Sequence, residues 1–259
     1  MKVWAVAAAL LAATPVGAAN DCILDNCADQ RPARQGSAPS EDRAAPRDND
    51  RAAPRDNDGA AEPFRRRGTT PSGDFDYYLL SLSWSPSFCA TGGAERSRRQ
   101  CAPGANPGFV VHGLWQQYAR GYPPNCDGGD LPYSVLTTLN DLYPDPGLAR
   151  HEWRAHGACS GKSPQNYFAD VRAARDAVAI PPELKALRED LFVSPLDIQR
   201  AFIAANPRLR PGMMTVTCQR GALQEARICL SRDLRDFVAC PDVVRRGCRS
   251  QDIVVPAGR

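Results

Sequence analysis

Among 259 residues there are only three histidines, four tryptophans and three methionines, and the charges almost cancel, 32 Lys and Arg against 29 Asp and Glu. That near balance leaves no global field to gather a polyanion, so any binding of one must come from local placement of cations. No apolar run reaches the roughly eighteen residues that a membrane-spanning helix needs, which argues against an integral membrane protein. No Asn-x-Ser/Thr triplet occurs, so N-glycosylation has no acceptor. Between Ala28 and Ser72 large apolar residues are almost missing, Phe64 being the exception, and such a stretch cannot bury a core.

What is present divides the chain into three parts. Residues 1–19 carry one cation, Lys2, an alanine-rich apolar run from Val3 to Ala13, and small residues from Val16 to Ala19, the pattern of a signal peptide. Residues 20–73 read as a disordered segment in which the octet RAAPRDND occurs twice in tandem, Arg43–Asp50 and Arg51–Asp58. Residues 74–259 have the size and apolar content of one compact domain. Ten cysteines behind an export signal point to an oxidising compartment, secreted or periplasmic, and to disulfides rather than metal ligands. Short loops are the cheaper ones to close, which favours Cys22–Cys27 and Cys89–Cys101.

Within the domain, Asp76–Trp84 and Gly108–His112 have strand composition, as do Met213–Cys218 and Ala226–Leu230. Leu136–Leu142 and Tyr167–Ala179 carry helical spacing, and Ser194-Pro195 offers a capped start before Ile198–Ala205. Strands and helices alternate without a regular βαβ repeat. The expected class is therefore α+β, a single domain with a central, mainly antiparallel sheet flanked by helices and stabilised by disulfides.

All three histidines fall in two short segments, FVVHGLW with His112 and HEWRAHGAC with His151 and His156. A zinc-protease helix needs histidines four apart, whereas His151 and His156 are five apart and diverge by about 140° on a helix. No metal site and no cofactor are expected. Cys159 suits a disulfide better than a nucleophile in an oxidising compartment. Glu152 and His156 are i and i+4, which on a continuous helix sets the carboxylate beside the imidazole. Without metal or protein nucleophile, two imidazoles still serve as base and acid for a substrate that brings its own nucleophile, and the RNA 2′-hydroxyl is one.

These residues carry a resemblance to the ribonuclease T(2) family, whose catalytic segments have the form HGLW and HEWxKHGxC. The likeness continues in DFDYYLLSLSWSPSFC, NYFADVRAARDAVAIPPEL, AFIAANPRLRPG and CQRGALQEARICLSRDL, which resemble bacterial members. It implies an endoribonuclease that cleaves single-stranded RNA through a 2′,3′-cyclic phosphate, with His156 as base, His112 as acid, His151 on the phosphate and Glu152 supporting the transition state. It also implies base stacking on Trp115, with Tyr118 and Tyr122 as further candidates for the same wall, while Trp153 suits the core. The pairings it suggests are Cys126–Cys159, Cys229–Cys240 and Cys218–Cys248. Single-stranded RNA is then the partner, and a monomer is expected.

The sequence departs from the family pattern at two places. The lysine usual before the last histidine is Ala155, so one cation expected at the transition-state phosphate is missing; its neighbour Arg154 points about 100° away on a helix. Gln116 stands where many members have proline. The Ala155 change keeps a second reading open, a catalytically weakened RNA-binding or cytotoxic secreted member of the same fold.

Overall fold

The structure, a computed structural model, describes residues 72–258 apart from positions 106, 125, 127 and 186. The signal peptide, the tandem octet and the Cys22–Cys27 pair lie outside the described residues.

Six strands form one sheet: β1 (Tyr77–Trp84), β2 (Phe109–Gln117), β3 (Leu191–Val193), β4 (Met214–Gln219), β5 (Ala222–Ser231) and β6 (Ile253–Val255). The order is β2-β1-β5-β6-β3, with β4 also paired to β5. Every pairing is antiparallel except β5 with β6, which meet in parallel at Ala222 and Val254. Among the described residues seven α-helices decorate it: the short α1 (Ser85–Phe88), α2 (Ala94–Arg96) and α3 (Tyr133–Leu136), then α4 (Pro146–Ala155), α5 (Pro164–Asp176), α6 (Pro195–Ala205) and α7 (Pro241–Arg245). This is the α+β domain anticipated above.

The central strand β1 is buried at all eight positions, so both faces of the sheet are covered and the strand reads as an apolar run rather than an alternation. On one face Tyr78, Leu80, Leu82 and Trp84 join Leu114, Met214, Val216 and Ile228 in the main core. Helix α5 lies against it through Tyr167, Phe168, Val171 and Ala174, the stripe that a period of 3.6 brings to one side. The opposite face is of mixed character. Tyr77 and Leu79 pack with Cys229, Cys240 and Val243 at one end, while the same face continues through Ser81, paired with Gly113 and Arg227, and Ser83, paired with Val110 and Glu225. That polar half is where chemistry can sit.

Three long helices start as their sequences dictate. Asp145, Ser163 and Ser194 each accept a backbone N–H of the first turn, and proline follows each cap. The expectation of a helix over Leu136–Leu142 is corrected: α3 ends at Leu136 and the chain continues in three-residue turns, with Leu139 N–H bonded to Leu136 O and Leu142 N–H to Leu139 O. A spacing of three between Leu136, Leu139 and Leu142 buries all of them in such turns. Strand β2 runs five residues beyond the stretch expected from composition, to Gln117. Among the described residues no helix is long and apolar enough to cross a membrane.

Four disulfides join described residues: Cys89–Cys101, Cys126–Cys159, Cys218–Cys248 and Cys229–Cys240. Cys126–Cys159 closes a loop of sequence separation 33, which in the chain-entropy account restricts the unfolded state by about 3–4 kcal/mol. Replacing both cysteines by alanine should lower the unfolding free energy by about 2–4 kcal/mol in urea titrations under oxidising conditions. An unchanged midpoint would show that the reduced loop is already ordered in the unfolded ensemble.

Candidate active site

Strand β2 brings His112 into the polar half of the sheet by an irregularity. Ser81 pairs with Gly113 and Leu82 with Val111, so His112 has no register partner and forms a bulge. Strand β5 carries a matching bulge, because Thr217 pairs with Glu225 and Cys218 with Leu223, leaving Gln224 as the additional residue. Bulges re-aim side chains locally. Here they set His112 against Glu225: the imidazole Nδ1–H donates to Glu225 Oε1 at 2.5 Å. The carboxylate accepts through its other oxygen from Arg227, Nε at 2.8 Å and Nη2 at 2.7 Å.

Helix α4 supplies the other side. Glu152 is fully buried; its Oε2 accepts from Trp115 Nε1 at 2.8 Å, and its Oε1 lies 3.7 Å from His112 Nε2. The helix stops at Ala155. His156 has φ −133° and ψ −53°, outside the helical region, although its N–H still bonds Glu152 O at 3.0 Å. The expectation that Glu152 stabilises a charged His156 is corrected: the carboxylate accepts from Trp115 and faces His112, and what acts on His156 is burial and the charges of His112 and His151. The bend continues into a short 3-10 turn, Gly157–Ser160, at whose start Gly157 passes so close to Trp153 and Tyr167 that a Cβ there would overlap their rings.

Trp115 is the hub of the arrangement. Its ring is 5.1 Å from the His112 ring, 5.2 Å from the His156 ring and 5.4 Å from the Arg227 guanidinium carbon. His112 and Trp115 can both face this side because Gly113 between them has no side chain. A Cβ there would run into Glu152 Oε2 and Trp115 Nε1.

The two imidazoles sit in different electrostatic settings. Burial alone would lower the pKa of His112, but the charge and hydrogen bond of Glu225, with Glu152 adding to them, outweigh it and raise the pKa above the ordinary 6.5. His156 is pushed down to about 3, first by burial and then by the nearby charges of His112 and His151. Glu225, despite burial that would raise it, is held down at about 2 by Arg227 and His112. Glu225 is thus ionised and His156 neutral at neutral pH, while His112 holds its proton more strongly than an ordinary imidazole.

The other residues singled out from sequence fall in several places. His151 is half-buried on α4, near enough to act on His156. Arg154 is exposed and lines a shallow groove with Cys126, Gly128, Gly129 and Asp130. Tyr118 packs against the main core, and Tyr122 is exposed. Trp153 is buried and donates to Gly129 O at 3.1 Å. Gln116 is buried on the main-core face. Glu225 and Arg227 were missed. Their signal was two charged residues at i and i+2 in the otherwise apolar strand ALQEARICLS, both on one face. Among the described residues no group of three or more His, Cys, Asp or Glu side chains is arranged to hold a metal ion.

Comparison with known proteins places these features in context. The sequence profile described as the ribonuclease T2 family matches residues 75–240. A ribonuclease of Aeromonas hydrophila is 36% identical over 180 residues, covering 68% of this chain and 80% of that protein. Ribonuclease DdI of Dictyostelium discoideum is 26% identical over 199 residues, covering 68% and 82%. An RNase-related protein from Calystegia sepium shares the fold with a TM-score of 0.58 at 22% identity, covering 71% of this chain and 98% of that one. A mutant of RNase MC1 in complex with 5′-UMP gives a TM-score of 0.56 at 21% identity, covering 69% and 97%.

The absence of a side chain at position 113 is directly testable. Gly113→Ala should force Glu152 and Trp115 apart, costing about 1–3 kcal/mol in urea unfolding, as overpacking typically does. The same variant should lose the interplay of Trp115 with its neighbours, seen as a shifted tryptophan emission spectrum. A variant of wild-type stability with an unshifted spectrum would mean that the contact yields without cost.

Proposed function

The chain belongs to the ribonuclease T2 family, and on that premise we propose that it is an endoribonuclease cleaving single-stranded RNA by internal transphosphorylation, with His156 as general base and His112 as general acid. One observation carries the assignment of roles: on either side of a single indole ring, His112 faces two carboxylates that raise its pKa, whereas His156 is buried beside two other imidazoles that lower its own. Groups whose environments push their pKa values apart divide into base and acid.

In the proposed reaction His156 takes the proton of the ribose 2′-hydroxyl. The 2′-oxygen forms a bond to the adjacent phosphorus, the phosphorus–O5′ bond breaks, and the 5′-oxygen leaves with the proton of His112 Nε2. The products are a 2′,3′-cyclic phosphate and a 5′-hydroxyl. Glu225, by accepting from Nδ1–H, fixes Nε2 as the nitrogen that faces substrate. Glu152 orients the Trp115 ring and sits beside His112 Nε2, where it supports the cation before transfer. His151 is assigned to the phosphate, and Trp115, Tyr118 and Tyr122 to the bases, stacking being tolerant of sequence. Within this reading Arg154, exposed on the groove side of α4, is a contact for more distant RNA. Four disulfides suit an oxidising compartment, and the same proposal makes the protein a secreted or periplasmic monomer without a cofactor.

The decisive experiment is cleavage of UpA by purified protein in EDTA, with product analysis for the 2′,3′-cyclic phosphate. His112→Ala and His156→Ala should each lose about 10²–10⁴-fold in kcat; no cyclic product from the wild-type protein would sink the assignment. The pH profile should be a bell. The rate rises as His156 loses its proton near pH 3 and falls as His112 loses its own above 6.5. Glu225→Gln removes what raises His112 and leaves the burial that lowers it, so the alkaline limb should move to lower pH while the acid limb stays.

A further inference from the structure

A pentacovalent phosphorane carries more negative charge on its equatorial oxygens than the phosphodiester it comes from, and a site that stabilises it needs a cation or a strong donor beyond the acid and base. Position 155, the last residue of α4, offers a methyl group, and Arg154 next to it turns to the exposed groove with Cys126 and Asp130. A cation that adjoins the same indole as both imidazoles comes instead from a different part of the chain.

Resting on the ribonuclease reading above, we propose that Arg227 is the catalytic cation of this site, its guanidinium contacting a non-bridging oxygen of the scissile phosphate.

Its placement is built in three ways. Arg227 on β5 and Gly113 on β2 flank the same β1 residue, Ser81, so both face the polar half of the sheet. From that position the long arginine stem carries its guanidinium to the Trp115 ring. There the guanidinium carbon stands 5.4 Å from the indole centroid, the same ring that His112 and His156 adjoin at 5.1 and 5.2 Å. All three groups thus surround one side chain.

The guanidinium is also held and yet incompletely used. Nε and Nη2 both bind Glu225 Oε2, which uses two of the five N–H donors that an arginine carries. The Arg227 side chain is 20% exposed, against 1% for the carboxylate it grips, so the guanidinium is anchored at one edge without being fully enclosed. Glu225 in turn joins Arg227 to His112. A phosphate arriving at His112 Nε2 therefore meets a cation whose position is already fixed, and no side-chain ordering is needed at the moment of reaction. Charge balance points the same way. Glu225 is an ionised, buried carboxylate, and a site without Arg227 would set an anionic substrate against it with its main counter-charge removed.

The test uses steady-state cleavage of UpA by the full protein, with wild-type turnover as the reference for the ribonuclease reading itself: if the wild type does not cleave, that reading fails and Arg227 is not reached. Given turnover, Arg227→Gln, which keeps a donor for Glu225, should reduce kcat by about 10²–10³-fold with KM changed by less than about threefold. The alkaline limb of the pH profile should move to higher pH, because the charge of Arg227 opposes protonation of His112. Adding Ala155→Lys to Arg227→Gln should restore at least about tenfold of the lost kcat, since an ammonium at the end of α4 approaches the same phosphate from the opposite side. Circular dichroism and urea unfolding of each variant report whether the fold is kept, and Arg227→Lys provides a charge-conserving second variant that should retain more activity than Arg227→Gln. The proposal is overturned if Arg227→Gln keeps kcat within about threefold, if the loss appears in folded protein but Ala155→Lys recovers none of it, or if Arg154→Gln causes the loss that Arg227→Gln does not.

Discussion

Everything in the site depends on a carboxylate that the protein buries almost completely. Glu225 is 1% exposed in the middle of a six-stranded sheet, where an isolated charge would cost several kcal/mol. It is tolerated because each oxygen has a partner: Oε1 takes the His112 Nδ1–H and Oε2 takes the Arg227 guanidinium. Removing one partner of a buried pair typically costs about 3–5 kcal/mol, since the other charge is left stranded. The arrangement is thus stable only as a whole. One interaction set fixes the tautomer of the acid, its charge, and the location of the cation beside it.

The sheet itself supplies the precision. Antiparallel pairing with an unbroken register would keep His112 at strict alternation with its neighbours, and a two-residue period would send every second side chain to the main core. An additional residue in β2 at His112 breaks that period against β1, and another in β5 at Gln224 breaks it against β4, while β1 and β5 keep an unbroken register from Tyr77–Ser231 to Ser83–Glu225. The functional side chains then converge on a face that is apolar at one end, around Cys229, Cys240 and Val243, and polar at the other. Strand β1 lies between the two bulged strands and is buried at all positions, so neither of its neighbours can relax without disturbing the core.

How much of this could be read from the chain follows from how local each feature is. The four longer strands announce themselves by composition, whereas the three-residue β3 and β6 are too short to do so, and the cap at Ser194 marks its helix start. The histidine segments are equally local, and so were the three histidines as candidates for one site. Glu225 was not, because it meets His112 across 113 positions of sequence and only the pairing of both strands to β1 brings them together. A strand drawn from Ala226 to Leu230 leaves Glu225 outside, although charges at 225 and 227 flanking a buried alanine are what a core strand excludes unless they have a use. The Glu152–His156 relation failed for a different reason. Glu152 is itself helical, and its carboxylate is taken by Trp115 and faces His112, partners that the packing of α4 on β2 supplies and that spacing along one helix does not reveal.

The division of labour between the imidazoles comes from a difference in partners rather than in burial. Burial opposes protonation of both, and for both it is the largest influence. His112 overcomes it because two carboxylates face it, one bonded and one within 3.7 Å. His156 does not, because the charges that act on it come from His112 and His151, both imidazoles, and repel a proton. The acid therefore helps to make the base: a protonated His112 lowers the pKa of His156 across the Trp115 ring. After the first proton leaves the 2′-hydroxyl, His156 is charged and His112 is about to become neutral, so the repulsion that kept the base free is relieved as the acid delivers its proton. Two histidines coupled in this way favour states in which only one of them is charged, and the cation bound to Glu225 is the part of the site whose charge stays constant while theirs exchange.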